Sequence, residues 1–208
     1  MKLKKFLAAT LAATMVMSSA MTVCAGYYDS SSSSSESTTV SEDVKAANAP
    51  VSVAGSDVKT TIAGGYAAKT VQGTAVTTPL AQVKANLGLK DGQEPAITIY
   101  DTDPKKSPAA MACVNATLEA MGLSADAAVA VLNIDLYAKQ GNNVVTLSDG
   151  SVAMVAGLPK NADLTKTYSI ICVQPKGVVT ILEDLDSNPA TVTFDVQAGI
   201  GTYALVAQ

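Results

Sequence analysis

The second half of the chain alternates. In "AVAVLNIDLYAK" the residues Leu132, Ile134 and Leu136 fall on one side and Asn133, Asp135 and Tyr137 on the other, the period of two that marks a strand with one buried face. "QGNN" predicts a turn into "VVTL", and "SVAMVAG", "TYSIICV", "GVVTIL", "ATVTFDV" and "GTYALVA" follow at short spacing. Asp149-Gly150 and the stretches 159–163, 175–177 and 186–189 supply the turns between them. In "ATVTFDV" Val192, Phe194 and Val196 are expected to face inward. Many short strands joined by turns predict a β-sandwich rather than a fold of alternating strands and helices.

Residues 50–123 carry a different pattern. "SDVKTTIAGGYAAKTVQGTAV" is β-branched and punctuated by glycine, which predicts one or two strands. "TTPLAQVKANLG" predicts a short helix, with Thr78 as cap, Pro79 at the first helical position, Leu80, Val83 and Leu87 at helical spacing, and Gly88 at the end. "EPAITIYDTD" reads as a strand with Ile97 and Ile99 on one face. Ser107-Pro108 then repeats the cap arrangement before a stripe of Met111, Val114, Leu118 and Met121 closed by Gly122. The expected class is therefore α+β: an immunoglobulin-like β-sandwich over 124–208, preceded by a small α+β region over 50–123 with two short helices.

Before residue 50 the composition changes twice. Lys2, Lys4 and Lys5 precede an apolar run from Phe6 to about Val16, and small residues lead to Val23-Cys24-Ala25, the form of a secretory leader cleaved after Ala25. Residues 1–25 are thus expected to be a signal peptide and the protein extracellular or at the cell surface. Cys24 raises an alternative, a lipid anchor on that cysteine. The residue before it is the branched Val23, where a lipidation motif has a small one. Residues 26–49, which include the serines Ser30 to Ser35, lack the apolar mass to offset their ordering entropy and are expected to be a disordered linker. No later stretch reaches the roughly 20 uninterrupted apolar residues of a membrane-spanning helix.

Composition then removes classes of chemistry. The chain has no histidine, which excludes Ser-His-Asp and Cys-His catalysis and histidine metal sites. Its net charge is −4, all its basic residues are lysine, and loss of the leader removes three of them and no acid. Nucleic acid is therefore a poor partner, since arginine is the bidentate reader of phosphate and guanine.

The succession "VLNIDLY", "GNNVVTLSDGSVAMVAGLP", "TYSIICVQPKGVVTILED" and "ATVTFDVQAGIGTYALV" resembles the β-sandwich module found at or near the C-terminal ends of Gram-positive bacterial secreted and cell-surface proteins. The resemblance covers about residues 125–206. The closing segment departs from the module's aromatic-Ser-Thr-Tyr pattern by placing Ile200 and Gly201 where Phe and Ser are expected. The resemblance implies an extracellular, accessory role without catalytic residues, and it leaves 50–123 unmatched.

Four small constellations remain. Asp184, Asp186 and Asn188 stand at alternate positions with Asp195 at the twelfth, the ligand spacing of a calcium loop, but Pro189 replaces the glycine such a loop needs and strands flank it; the plainer reading is an acidic turn. Ser56-Asp57-Val58-Lys59 matches Ser-x-x-Lys without the companion elements of that catalytic machinery. Asp101 and Asp103 form an alternate acid pair that reads as a solvated turn. Cys113 and Cys172 could form the one disulfide available once Cys24 is removed, or remain buried small hydrophobes.

No catalytic residue, cofactor site or metal site is assigned, and the expected function is a non-catalytic structural or adhesion-type module for an unknown extracellular protein or glycan. The alternative is a carbohydrate-binding module, for which Tyr66, Tyr100, Tyr137, Tyr168 and Tyr203 are the only rings in the folded part that could form a sugar platform besides the inward Phe194.

Overall fold

The computed structural model describes residues 44–208. The expected signal peptide, Cys24 and the serine tract lie outside the described residues. Thirteen strands and two α-helices succeed one another in them: β1 (Val44–Lys45), β2 (Pro50–Val53), β3 (Ser56–Lys59), β4 (Ala63–Tyr66), β5 (Thr74–Val76), α1 (Leu80–Asn86), β6 (Gln93–Asp101), α2 (Pro108–Ala120), β7 (Ala128–Gln140), β8 (Asn143–Thr146), β9 (Ser151–Gly157), β10 (Tyr168–Gln174), β11 (Val178–Glu183), β12 (Thr191–Gln197) and β13 (Gly199–Ala207).

The strands form a mixed, sandwich-like arrangement. The large sheet runs β1-β4-β6-β7-β13-β10-β11, with β8 also paired to β7, and the small one runs β12-β9-β5; β2 and β3 form a separate hairpin. Within the large sheet β4 and β6 are parallel, and the other neighbours are antiparallel.

Alternation sets what each face buries. Ile97 and Ile99 of β6, Leu132, Ile134 and Leu136 of β7, and Tyr203 and Leu205 of β13 meet Val152 and Met154 of β9 and Val192, Phe194 and Val196 of β12 in one core. Every one of these side chains is at most 1% exposed, and each large apolar group so buried contributes roughly 1.5–3 kcal/mol relative to exposure. The inward set predicted for β12 is borne out, and so is the face of β7.

Helix α2 covers part of the other, outer face. Its Cys113, Val114 and Leu118 pack on Ile171 and Val173 of β10 and Ala204 and Val206 of β13, with Val131 and Val179 at the margin. The buried face runs through Ala110, Cys113, Val114, Thr117 and Leu118. Cys113 is therefore inside the contact, whereas the expected stripe placed Met111 there; Met111 is only half-buried. Thr117 fits because its hydroxyl donates to the Cys113 carbonyl at 2.8 Å.

The expected division at residue 123 does not separate two units. β4 and β6 lie in the same sheet as β7, β13 and β10, β5 pairs with β9, and the core holds residues from Ile62 to Ala207. The edge of β7 that would have been open in an isolated sandwich is filled by β6 over nine residue pairs, Gln93↔Gln140 to Asp101↔Leu132. Residues 44–49, expected as the end of the linker, belong to the fold as well. Val44 and Lys45 pair with Gly65 and Gly64, and the Asn48 N–H donates to the Thr60 carbonyl at 2.6 Å. The polar composition that suggested a linker is compatible with an edge strand, because such a strand needs few buried side chains.

Thr78 is not a helix cap. Its hydroxyl accepts the Ala153 N–H at 2.8 Å, tying the start of α1 to β9, and Pro79 occupies the cap position instead.

Candidate functional site

Among the described residues helix α2 packs on β10 and β13 and does not reach the β1, β4, β6 and adjoining β7 part of the outer face. Register places the side chains there in rows: Tyr100 of β6 beside Asn133 of β7 and Thr202 of β13, and Thr98 beside Asp135 and Ile200. Tyr137 lies four residues from Asn133 on β7, about 13 Å along the strand. Tyr100 is 44% and Ile200 55% exposed. A tyrosine and an isoleucine are thus presented on adjacent rows, diagonally across β7, with the Asn133 amide and the Asp135 carboxylate between them.

The polar groups of this face are ordered by one another. The Thr202 hydroxyl donates to Asn133 Oδ1 at 2.8 Å, which fixes the amide. Burial raises the Tyr100 phenol above its ordinary range, and the Asp135 charge adds to this, while the side-chain hydrogen bond from Asn133 works in the opposite direction. Burial also raises the Asp135 carboxyl. Asp135 is in no ion pair; among the described residues the ion pair found is Lys84 with Glu94 at 2.7 Å. A half-buried carboxylate without a cation, beside an amide and a ring, is chemistry suited to accepting hydrogen bonds from a polar ligand laid across the sheet.

Of the five tyrosines considered for a sugar platform, Tyr66, Tyr168 and Tyr203 are buried. Tyr66 donates to the Ile62 carbonyl at 2.9 Å and bonds the Thr60 hydroxyl, and burial pushes its phenol up to about 12. Tyr203 accepts the Gln197 N–H at 3.0 Å and lies 5.7 Å from the Phe194 ring. Tyr100 and Tyr137 remain for a ligand. In the sequence Ile200 stands out only as a departure from the closing pattern of the module and not as a contact residue, although its position between the inward Gly199 and Gly201 assigns it to the outer face.

The calcium-like acids are brought into one connection, between β11 and β12, where their oxygens serve the backbone. Asp184 Oδ1 accepts the N–H groups of Asp186 at 3.1 Å and Thr193 at 2.9 Å; Asp186 accepts the Asn188 N–H at 2.7 Å and the hydroxyls of Thr191 and Thr193; Asn188 Oδ1 accepts the Ala190 N–H at 3.1 Å. Asp195 lies on β12 opposite Ala153. Among the described residues no three acid, cysteine or histidine side chains are gathered as a metal would require. A polar cleft of about 500 Å³ borders this connection, lined by Glu183, Asp184 and Asp186 together with Lys166, Ser169 and Gln208. Its acids come from a single stretch of chain, and burial raises the Asp184 carboxyl while its two backbone donors oppose the shift.

The other sequence candidates are placed apart. Asp101 accepts the backbone N–H groups of Lys69 at 2.8 Å and Thr70 at 3.1 Å, holding the loop after β4, and Asp103 accepts the Lys105 N–H at 2.9 Å in a turn. Ser56 and Lys59 are the exposed ends of β3. Of the two readings open for Cys113 and Cys172, the bond between them is not formed: Cys172 is a free thiol in the inner core, pushed up to about 11 by burial, and Cys113 packs on the outer face, so the sheet stands between them. Alternation decides this, because Cys172 shares a face with Ile170 and not with Ile171 and Val173. No helix among the described residues is long and apolar enough to cross a membrane. Comparison of the chain with protein-family models, with curated proteins and with solved structures gave no match.

Proposed function

We propose that the protein is an exported bacterial module of structural or adhesion type, without catalytic activity, that engages an extracellular partner through the uncovered part of its outer sheet face. The observation that carries this reading is the exposed pair Tyr100 and Ile200 flanking Asn133 and Asp135 on a regular sheet. Sheet faces and edges are common platforms for extended partners, and the basic, apolar and small-residue succession at the N-terminus supports export. The immunoglobulin-like description of 124–208 belongs to the same reading. It is supported by Tyr203, whose hydroxyl reaches back to the backbone of Gln197 in the manner of the tyrosine that closes such sandwiches. The absence of histidine leaves no side chain whose ordinary pKa suits proton transfer near neutrality.

A carbohydrate ligand is the second reading, favoured by Tyr100 and Tyr137 on the same face. The test for both is a screen of the mature chain against glycans and extracellular proteins, repeated with Tyr100→Ala and Ile200→Asp. Loss of binding in both variants supports the face; a ligand bound equally by the wild type and both variants places recognition elsewhere and overturns it. Export is tested by mass spectrometry of the protein from its native host. A mature chain beginning at Gly26 supports simple secretion, and one beginning at a diacylglycerol-modified Cys24 supports a lipid anchor.

A further inference from the structure

β11 ends the large sheet. It pairs with β10 from Ser169↔Glu183 to Gln174↔Val178, and its other edge meets no strand among the described residues. The edge of β12 is treated differently: Asp184 Oδ1 accepts the Thr193 N–H, the Leu185 N–H donates to the Thr193 carbonyl at 2.7 Å, and the Tyr203 hydroxyl accepts the Gln197 N–H. The chain thus shields one sandwich edge with its own side chains and with the backbone at Leu185. β11 is weakly protected, since "VVTILE" contains no proline and no lysine and its one charge, Glu183, stands at its end.

We propose that β11 is a self-association edge, on which a second copy of this chain adds its own β11 antiparallel about a two-fold axis at Thr180. Such an interface must be self-complementary, and this register is. With Thr180 opposite Thr180, Val179 of each copy stands opposite Ile181 of the other on the helix-covered side, and Val178, which is 50% exposed, stands opposite Leu182 on the inner side. Each apolar residue of the strand meets an apolar residue. Charge is complementary too. Lys176 precedes the strand, while Glu183, Asp184 and Asp186 end and follow it. Antiparallel pairing brings the basic end of one copy against the acidic end of the other twice, whereas parallel pairing sets like against like.

The decisive experiment uses the mature chain and the exposed residue Thr180. Sedimentation of the wild type should show an apparent mass rising to twice that of the monomer with concentration. Thr180→Lys and Thr180→Glu should each be monomeric with an unchanged melting temperature, because like charges directly opposite across a strand pair repel. An equimolar mixture of the two should regain the doubled mass. Thr180→Cys should give a disulfide-linked dimer under mild oxidation, opposed strand residues being within disulfide reach, and the exposed control Lys105→Cys should not. A wild type that stays monomeric, because residues before Val44 cover the edge or because nothing does, overturns the proposal. So does a Thr180→Lys variant that still dimerises, or equal cross-linking of the control. If either charge variant loses its fold, Val178→Lys serves in its place and is expected to be folded and monomeric.

Discussion

A Cβ built on Gly201 would lie 2.8 Å from the Tyr203 ring and 3.2 Å from its hydroxyl oxygen. The two residues share the inner face of β13, and the ring lies back along the strand over the glycine so that its hydroxyl reaches the Gln197 N–H. Gly201→Ala is therefore expected to destabilise the protein by about 1–3 kcal/mol, the usual cost of overpacking. An unobstructed strand glycine would instead gain about 0.5–1 kcal/mol from the same change. Chemical denaturation distinguishes the signs, and a gain in stability would show that the ring moves aside freely.

Tyr203→Phe keeps the ring against Phe194 and removes the acceptor of the Gln197 N–H. The expected loss is about 1–3 kcal/mol, the cost of leaving a partly buried donor unsatisfied, and on the order of 2–4 °C in melting temperature per kcal/mol for a domain of this size. Calorimetry showing an unchanged melting temperature would mean that water replaces the phenol there.

Asp135 gives a pH dependence of defined sign. Burial raises its carboxyl above the ordinary value of 3.8, so the folded state holds the proton more tightly than the unfolded state. Its contribution to stability is fully present below the unfolded value and is lost as pH rises through the raised folded one. Asp135→Asn, which stays neutral, should therefore melt higher than the wild type near pH 7, with the difference shrinking as pH falls through about 4. A difference constant across that range would show that the carboxylate is adequately solvated.

A fragment beginning at residue 124 should not fold. It would lack β6, which covers nine residues of β7, and β5, which pairs with β9. It would also lack α2, leaving Ile171, Val173, Ala204 and Val206 uncovered. Far-ultraviolet circular dichroism and dispersion of amide resonances would decide this, and a cooperatively melting fragment would restore an independent sandwich over 124–208.

What the sequence by itself determined was local. Period-two alternation assigns the faces of β6, β7 and β12 correctly because each buries one side only, and Pro108 and Gly122 bound α2 because their backbone preferences act within a turn. The sequence, through its lack of histidine, excludes imidazole chemistry without any fold at all. It also named Tyr100 and Tyr137 as two of five candidate rings, but which of the five are buried depends on which sheet covers them. Partnership between distant strands was not legible. Nothing in "AGGY" says that β4 lies parallel to β6, and nothing in residues 50–123 says that they complete the sheet of 124–208, since strand pairing is carried by backbone groups that every residue shares. The acids at 184–188 match a calcium loop in spacing alone, and only the tertiary structure shows their oxygens turned toward backbone donors of the turn and of β12. Likewise Gly201 reads in the sequence as a departure from a pattern. In the fold it is the space that the Tyr203 ring fills, because a contact between neighbours on one strand face depends on the rotamer that the opposing sheet imposes.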